Sequence, residues 1–271
     1  MLELTMLGTG NAAVTQCYNT CFTISSHGKH FLVDAGGGNG ILRQLELARI
    51  SLHDIECLMI THAHTDHILG CVWVVRYIAD LMKKGEYSGV FPIYAHNEAL
   101  HILEWICHKC LPPKLIAYFE TRIKLYTLEA GDCFRAIGLT CRCFDTGSTK
   151  TKQFGFELHL PDGQRLVCLG DEPMHECNRT LCQGADWLLC EAFCLARDAD
   201  IFKPYEKNHS TALDAGRVAQ ELNIRNLILY HTEDKNLQER KERYQEEVTE
   251  HFSGQVFIPD DLERIELRAS F

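Results

Sequence analysis

A predicted buried strand that runs into three histidines and an aspartate constrains this chain more than any other feature. Residues 61–67 read Thr-His-Ala-His-Thr-Asp-His and follow that strand directly. Alternate residues of an extended segment point the same way, so His62 and His64 can converge on one metal ion. Asp66 and His67 fall where the chain turns into the next helix and can face a second ion. We therefore interpret the motif as a metal site rather than as a polar surface loop.

The order of the predicted elements indicates an α/β protein in which two sheets pack together with helices outside. Strands are predicted at residues 2–7, 18–25, 29–34, 55–60, 91–95, 121–128, 133–144, 153–160, 165–170, 186–190 and 224–230, and helices from after Gly38 to about residue 49 and at 68–84, 211–222 and 236–250. The helix at 211–222 carries a capping-box pattern in Thr211 and Asp214. Because the sequence has no repeats or linkers, we interpret residues 1–271 as one domain.

Composition and charge exclude several classes of protein. The chain has 271 residues, of which 46% are hydrophobic, so it can bury a large core, unlike a disordered or collagen-like chain. No run of about 18 apolar residues occurs, which excludes a helical membrane span. A net charge of −10 disfavours broad binding to nucleic acid, because an acidic surface repels a polyanion.

The N-terminus and the cysteines indicate a cytoplasmic protein. The first residues, Met-Leu-Glu-Leu-Thr-Met-Leu-Gly, lack the basic flank and the apolar length of a secretory signal. The 14 cysteines show no regular spacing, so we expect reduced thiols rather than a disulfide framework. Cys107 and Cys110 have the spacing of a metal or redox pair, but no second such pair accompanies them, and chance is the favoured explanation.

A set of short motifs lies in order along nearly the whole chain. Besides residues 61–67, it comprises Gly8-Thr9-Gly10, Leu32-Val33-Asp34-Ala35-Gly36, Leu169-Gly170-Asp171, Glu191-Ala192, His209-Ser210-Thr211 and Leu227-Ile-Leu-Tyr-His231. In this combination the chain resembles the metallo-β-lactamase superfamily, and within it the ribonuclease Z-like branch. The resemblance implies a four-layer αββα sandwich of two mixed β-sheets flanked by helices, with a dinuclear metal site, usually zinc, along one edge of the sheets.

The resemblance also implies ligands for two divalent metal ions. It assigns His62 and His64 to the first ion, Asp66, His67 and His231 to the second ion, and Asp171 to a position between both. Asp171 and His231 each follow an apolar strand, where a buried polar side chain needs a partner; the alternatives are a turn aspartate and a hydrogen-bonded core histidine. Asp34, at another strand end, is expected to orient a ligand histidine. Zinc is the expected metal, and manganese and iron also accept mixed histidine and aspartate ligands.

One ligand that the resemblance implies is absent from this sequence. The family places a histidine of the first site in the loop after the strand near Phe144, ahead of an aromatic-glycine pair. In this sequence the pair is Phe154-Gly155, and Gly147 occupies the position at which the histidine is expected. The first site would then keep three protein ligands, with water or Asp145 in the gap, and we expect it to be weakly occupied. Because Gly147 replaces an expected ligand, a second interpretation stays open, in which the protein is a non-catalytic relative that binds metal or a ligand without turnover.

Asp66 and His209 are the expected catalytic residues. The resemblance implies that His209, which precedes the predicted helix at 211–222, protonates the leaving oxygen or holds the phosphate; a surface histidine beside a helix is the alternative. Asp66 together with His209-Ser-Thr is typical of the phosphodiesterase branches of the superfamily. Loops around these motifs contain four lysines that either contact an anionic substrate or are solvated: Lys150, Lys152, Lys203 and Lys207.

The expected reaction is hydrolysis of a phosphodiester. Two metal ions about 3.5–4 Å apart polarise the phosphoryl oxygen and lower the pKa of bound water to about 7, so that hydroxide attacks and an acid protonates the leaving group. A transfer RNA substrate is disfavoured by the net charge and by the lack of the long glycine- and proline-rich arm of that branch. Transfer RNA stays open as a substrate, and a small phosphodiester or another small anionic ester is favoured at least equally. A lactonase or thioesterase activity is the alternative within the enzymes. The protein is also a possible homodimer.

Overall fold

Strands and helices alternate along residues 2–268, the part of the chain that the computed structural model describes. The strands are β1 (Leu2–Gly8), β2 (Cys21–Ser26), β3 (Lys29–Val33), β4 (Ile55–Met59), β5 (Phe91–Ala95), β6 (Ile123–Thr127), β7 (Cys133–Ala136), β8 (Leu139–Asp145), β9 (Phe154–His159), β10 (Arg165–Cys168), β11 (Trp187–Glu191), β12 (Asn226–Tyr230), β13 (Gln255–Phe257) and β14 (Arg264–Glu266). The helices are α1 (Gly40–Leu47), α2 (Thr65–Lys84), α3 (Asn97–Cys110), α4 (Pro113–Thr121), α5 (Arg179–Cys182), α6 (Ala199–Phe202), α7 (Ala212–Glu221) and α8 (Arg240–Thr249).

The strands form two mixed sheets of seven strands each. The first sheet has the order β14-β1-β2-β3-β4-β5-β6, and the second has the order β13-β12-β11-β10-β9-β8-β7. Strands β3 to β6 and β10 to β13 are parallel, and the remaining pairs are antiparallel. Parallel strands that are covered on both faces consist of continuous apolar runs, and all five residues of β12 are buried.

Apolar side chains separate these layers and hold them together. The layer between the two sheets includes Leu4, Phe31, Phe156, Leu189 and Ile228. Helices α1 to α3 cover the first sheet through residues such as Leu45, Val74 and Leu103, and α7 and α8 cover the second sheet through Ala215 and Val248. The order helix, sheet, sheet, helix confirms the predicted αββα sandwich.

The structure departs from the predicted elements in several places. The single strand predicted at 133–144 is wrong, because the chain reverses at Ile137 and Gly138, which have φ values of 47° and 79°. Positive φ at both central residues is the conformation of a two-residue type I′ hairpin, across which β7 pairs with β8. Helices α3 and α4 and the three-residue strands β13 and β14 are absent from the prediction.

Other predicted elements are confirmed with shifted ends. Helix α2 begins at Thr65, three residues earlier than predicted, so Asp66 and His67 lie in its first turn. The capping box of Thr211 and Asp214 is present at the start of α7.

The Cys107 and Cys110 pair lies on α3, where Cys107 is buried and Cys110 is exposed. Neither thiol belongs to any of the three groups of side chains within residues 2–268 that could hold a metal ion. No helix in the described part of the chain combines the length and the apolar character that crossing a membrane requires.

Candidate metal centre

The candidate ligands lie where three strands end at one edge of the two sheets. His62 follows β4, Asp171 follows β10 and His231 follows β12. The backbone N–H of Phe154 donates to the carbonyl of Thr61 at 3.0 Å and joins the two sheets at this edge. Polar side chains from distant parts of the chain therefore meet because their strands end together.

The first group of side chains contains His62, His64 and Asp171. His62 Nε2 lies 3.0 Å from His64 Nδ1 and 3.5 Å from Asp171 Oδ2. His62 and Asp171 are buried, whereas His64, the N-cap residue of α2, is partly exposed. These are the three side chains that the sequence analysis assigned to the first ion.

The second group contains Asp66, His67 and His231. Asp66 Oδ2 lies 3.4 Å from His67 Nε2 and 3.5 Å from His231 Nε2. Asp171 Oδ2 lies 3.8 Å and 3.7 Å from the same two nitrogens. Asp171 therefore faces both groups, as expected for a carboxylate between two ions.

The spacing of these atoms and their lack of hydrogen bonds fit a divalent metal ion. His67 Nε2 and His231 Nε2 are buried and have no hydrogen-bond partner, which is costly for a polar atom unless it has a ligand. Ligand atoms about 2.1 Å from a tetrahedral ion lie about 3.4 Å from one another. The two nitrogens lie 3.4 Å and 3.5 Å from Asp66 Oδ2. Imidazole and carboxylate donors at this spacing suit zinc and similar ions.

Burial and mutual charge set the ionisation of these side chains. Burial opposes a charge on Asp66, but the facing His67 and His231 outweigh it and hold the pKa of Asp66 below its usual range. In Asp171, burial is likewise outweighed, mainly by His62 and His231, so its pKa is also well below the usual value. Burial lowers the pKa of His62 well below its ordinary value.

Burial opposes a charge on His67, but Asp66 and Asp34 outweigh it and raise the pKa of His67 well above its ordinary value. Ionised carboxylates and neutral imidazoles are the forms that bind a metal, so metal binding would displace the proton of His67.

Asp34 orients two histidines from behind the metal-binding groups. Its Oδ2 accepts hydrogen bonds from His67 Nδ1 at 2.8 Å and from Thr61 Oγ1 at 2.7 Å, and its Oδ1 accepts from the Thr61 N–H at 2.8 Å. Thr61 Oγ1 also lies 3.0 Å from His62 Nδ1. Each ring therefore uses Nδ1 for an outer contact and directs Nε2 at the carboxylates, which is the arrangement expected of metal-binding histidines.

His209 is buried beside the second group and contacts a carboxylate for which no role was predicted. His209 Nδ1 lies 3.7 Å from Glu191 Oε2, and the His209 ring stacks on Phe193 with centroids 4.7 Å apart. Burial lowers the pKa of His209 to about 3 and raises the pKa of Glu191 to about 8. The alternative of a surface histidine is therefore wrong. The sequence feature that could have identified Glu191 as a site residue is its position as a carboxylate at the end of an apolar strand.

The gap beside the first group is filled by Gln153, a residue to which the sequence analysis assigned no function. Gln153 Nε2 donates to Asp171 Oδ1 and lies 2.9 Å from His62 Nδ1. Gln153 is buried and directly precedes Phe154-Gly155, the aromatic-glycine pair of the motif. The amide thus fixes the orientation of one carboxylate and one imidazole of the first group.

Gly147 and Asp145 lie away from the first group. Asp145 is exposed, and its Oδ1 accepts a hydrogen bond from the Gly147 N–H at 2.8 Å, so the expectation that Asp145 fills the gap is wrong. A Cβ atom built on Gly147 would lie 3.1 Å from Cys177 Sγ and 3.5 Å from His175 Cβ. The Cα–Cβ bond of a side chain at position 147 would therefore point towards Cys177 and His175.

Gly147→His is expected to leave the metal content unchanged and to destabilise the protein. Gly147 has a φ of 83°, and an L-residue with a side chain costs about 1–2 kcal/mol in that conformation. Elemental analysis of the purified variant and its free energy of unfolding in urea measure both effects. Gly147→Ala is the matched control, since it has the same backbone cost without an imidazole. A higher metal content in the histidine variant alone would contradict this expectation.

Comparison with known proteins gives a family and a curated relative. The family described as Anti-Pycsar protein Apyc1 matches residues 2–252. Ribonuclease Z of Methanothermobacter thermautotrophicus is 26% identical over 314 residues, which cover 99% of this chain and 98% of that protein.

Two solved structures share the fold over nearly their whole length. The metallo-β-lactamase fold protein YhfI from Bacillus subtilis gives a TM-score of 0.77 at 18% identity, covering 98% of this chain and 100% of that chain. A diphosphatase from the PhnP family gives a TM-score of 0.74 at 17% identity, covering 99% and 98%. The predicted resemblance to the metallo-β-lactamase superfamily and its ribonuclease Z-like branch is confirmed.

Proposed function

The chain belongs to the Anti-Pycsar protein Apyc1 family, and within that family we propose that it is a metal-dependent hydrolase of phosphodiesters. Asp171 carries the proposal, because this buried carboxylate faces both groups of ligand atoms at 3.5–3.8 Å. A shared carboxylate between two adjacent sets of ligands is suited to a pair of ions acting on one phosphoryl group. The similarity to ribonuclease Z and to a PhnP-family diphosphatase supports phosphoryl chemistry.

We propose that the centre holds two divalent ions, with zinc as the first candidate. The second group offers Asp66, His67 and His231 besides Asp171, whereas the first group offers only two histidines besides Asp171. We therefore expect the first ion to be bound more weakly than the second. Bound divalent ions supply Lewis acidity and lower the pKa of water.

Three side chains beside the proposed ions take part in positioning the water and in proton transfer. Asp66 holds the second ion and orients the attacking water by accepting a hydrogen bond from it. His209 relays to the leaving oxygen the proton that Glu191 holds, because it lies in one group with Asp171 and His231 and so borders the reaction space. Glu191, 3.7 Å from His209 Nδ1, holds the ring and exchanges the proton with it.

A small phosphodiester is the proposed substrate. The net charge of −10 opposes a large polyanion. The aligned length of 314 residues exceeds the 271 residues of this chain, so the Methanothermobacter relative contains segments that this chain lacks. Because this chain lacks those segments, it offers less surface for binding an extended RNA than the Methanothermobacter relative does.

A metal assay combined with a substrate panel tests this proposal. Protein purified without chelator is expected to contain close to two equivalents of transition metal, and to cleave bis(p-nitrophenyl) phosphate faster than p-nitrophenyl acetate, a lactone or precursor tRNA. Faster cleavage of the ester or the lactone would indicate the lactonase or esterase alternative. Bound metal without turnover of any substrate would indicate a binding protein.

A further inference from the structure

Lys150 is the predicted lysine that lies directly at the metal centre. Its Nζ is 3.5 Å from His209 Nε2 and 3.3 Å from Glu172 Oε1. The Lys150 side chain is 21% exposed, so its ammonium group is accessible from solvent while it faces the site. His209 also groups with Asp171 and His231, which places this cation at the border of the proposed reaction space.

Glu172 fixes the position of Lys150. The Glu172 side chain is only 1% exposed, and its Oε1 accepts a hydrogen bond from Ser148 Oγ at 2.6 Å in addition to the ion pair with Lys150. Its Oε2 lies 3.4 Å from His175 Nε2. Because Glu172 directly follows Asp171 in sequence, this carboxylate ties the loop that carries Lys150 to the chain segment that carries the shared ligand.

Within the described residues, the ion pairs and ring contacts of the other three lysines involve neither His209 nor a candidate metal ligand. Lys152 pairs with Glu129 at 3.6 Å, and Lys203 pairs with Asp200 at 3.6 Å. Lys207 lies over the Phe193 ring, 4.9 Å from its centroid. Among the four, Lys150 is the lysine whose ammonium group directly contacts His209.

We propose that Lys150, positioned by Glu172, binds a non-bridging phosphoryl oxygen and makes the site prefer an anionic phosphodiester to an uncharged ester. A phosphodiester keeps one negative charge at neutral pH, whereas a carboxylic ester or a lactone has none. An ammonium group that is partly shielded from water gains an attraction between opposite charges as well as a hydrogen bond with the former, but only a hydrogen bond with the latter. This inference rests on the proposed phosphodiesterase function and specifies the charge of its substrate.

The test compares Lys150→Met, Lys150→Arg and the control Lys203→Met in the metal-loaded protein. Lys150→Met is expected to lower kcat/KM for bis(p-nitrophenyl) phosphate by about 10- to 100-fold, mostly through KM, since a charge-assisted hydrogen bond is lost. The inhibition constant of dimethyl phosphate should rise by about the same factor. Lys150→Arg should recover most of both losses, and Lys203→Met should match the wild type.

A second variant tests the positioning role of Glu172. Glu172→Gln keeps the size of the side chain but removes the charge that pairs with Lys150, so KM should rise by about 3- to 10-fold while kcat changes little. Metal content and melting temperature, measured for every variant, separate this effect from loss of structure.

Three results would overturn the inference. One is a Lys150→Met enzyme with the kcat/KM and the dimethyl phosphate inhibition constant of the wild type. Another is a loss that Lys150→Arg does not relieve and that accompanies lower metal content, because that pattern indicates a purely structural ion pair. If the wild type itself neither cleaves the phosphodiester nor binds dimethyl phosphate, the proposed function fails, and the inference fails with it.

Discussion

Asp171→Asn is expected to reduce hydrolysis of bis(p-nitrophenyl) phosphate by about 1,000-fold or more, and to lower the metal content from about two equivalents to one or fewer. Asp171 Oδ2 faces His62 Nε2 at 3.5 Å and His231 Nε2 at 3.7 Å, so one substitution removes the charge that both groups share. Metal ions contribute several kcal/mol to phosphoryl transfer, and each 1.36 kcal/mol is a factor of ten in rate. Asp66→Ala and His231→Ala should abolish activity, because each removes a ligand side chain of the second group.

Two measurements check this expectation, namely kcat/KM and elemental analysis of the same preparation. Asp200→Asn is the matched control, because it makes the same chemical change at a fully exposed side chain on α6. Wild-type activity and metal content in Asp171→Asn would show that the two groups do not act as one centre.

Removal of divalent metal is expected to eliminate activity and to lower the melting temperature by about 5–10 °C. A ligand that binds only the folded state at 100 times its Kd stabilises that state by about 2.7 kcal/mol, and 1 kcal/mol shifts the melting temperature of a protein of this size by about 2–4 °C. The loss should be large because Asp66, Asp171 and His67 are buried together and rely on the ions for compensation.

The control for this experiment is reconstitution. After the chelator has been removed, zinc or manganese should restore both activity and the melting temperature, and the curve of recovery against added metal should show a tighter and a weaker equivalent. An unchanged melting temperature after complete removal of metal would contradict the assignment of these buried side chains as ligands.

The sheet layout was predictable from sequence where burial decided the pattern. Apolar runs such as Ile55–Met59 and Asn226–Tyr230 are strands whose two faces are covered, one by the opposite sheet and the other by helices. The hairpin at 133–144 was missed because Ile137 is β-branched and apolar, so the segment lacks a polar turn signal although its backbone has positive φ. Helix α4 was missed although Pro113 stands at its first position, where proline starts helices.

The candidate ligands were predictable because each one stands at a strand end or in the motif beside it. The structure brings all six predicted ligands into adjacent groups, while their binding of metal stays a proposal. The contacts in the loop between β8 and β9 were not predictable, because the path of a loop depends on tertiary contacts such as the one between Ser148 and Glu172. For that reason the role of Gln153, and the choice of Lys150 among the four predicted lysines, emerged only from the three-dimensional arrangement.

The return of the C-terminal strand to the first sheet affects how the chain can be synthesised. Strand β14 pairs with β1, with Leu4 opposite Ile265, so β1 lacks its outer neighbour until residues 264–266 have left the ribosome. An unpaired edge strand is a template on which other chains can add. Nascent chains and proteolytic fragments that stop before residue 264 therefore expose a surface prone to aggregation, which makes the last strand a safeguard of solubility although it contributes nothing to the chemistry.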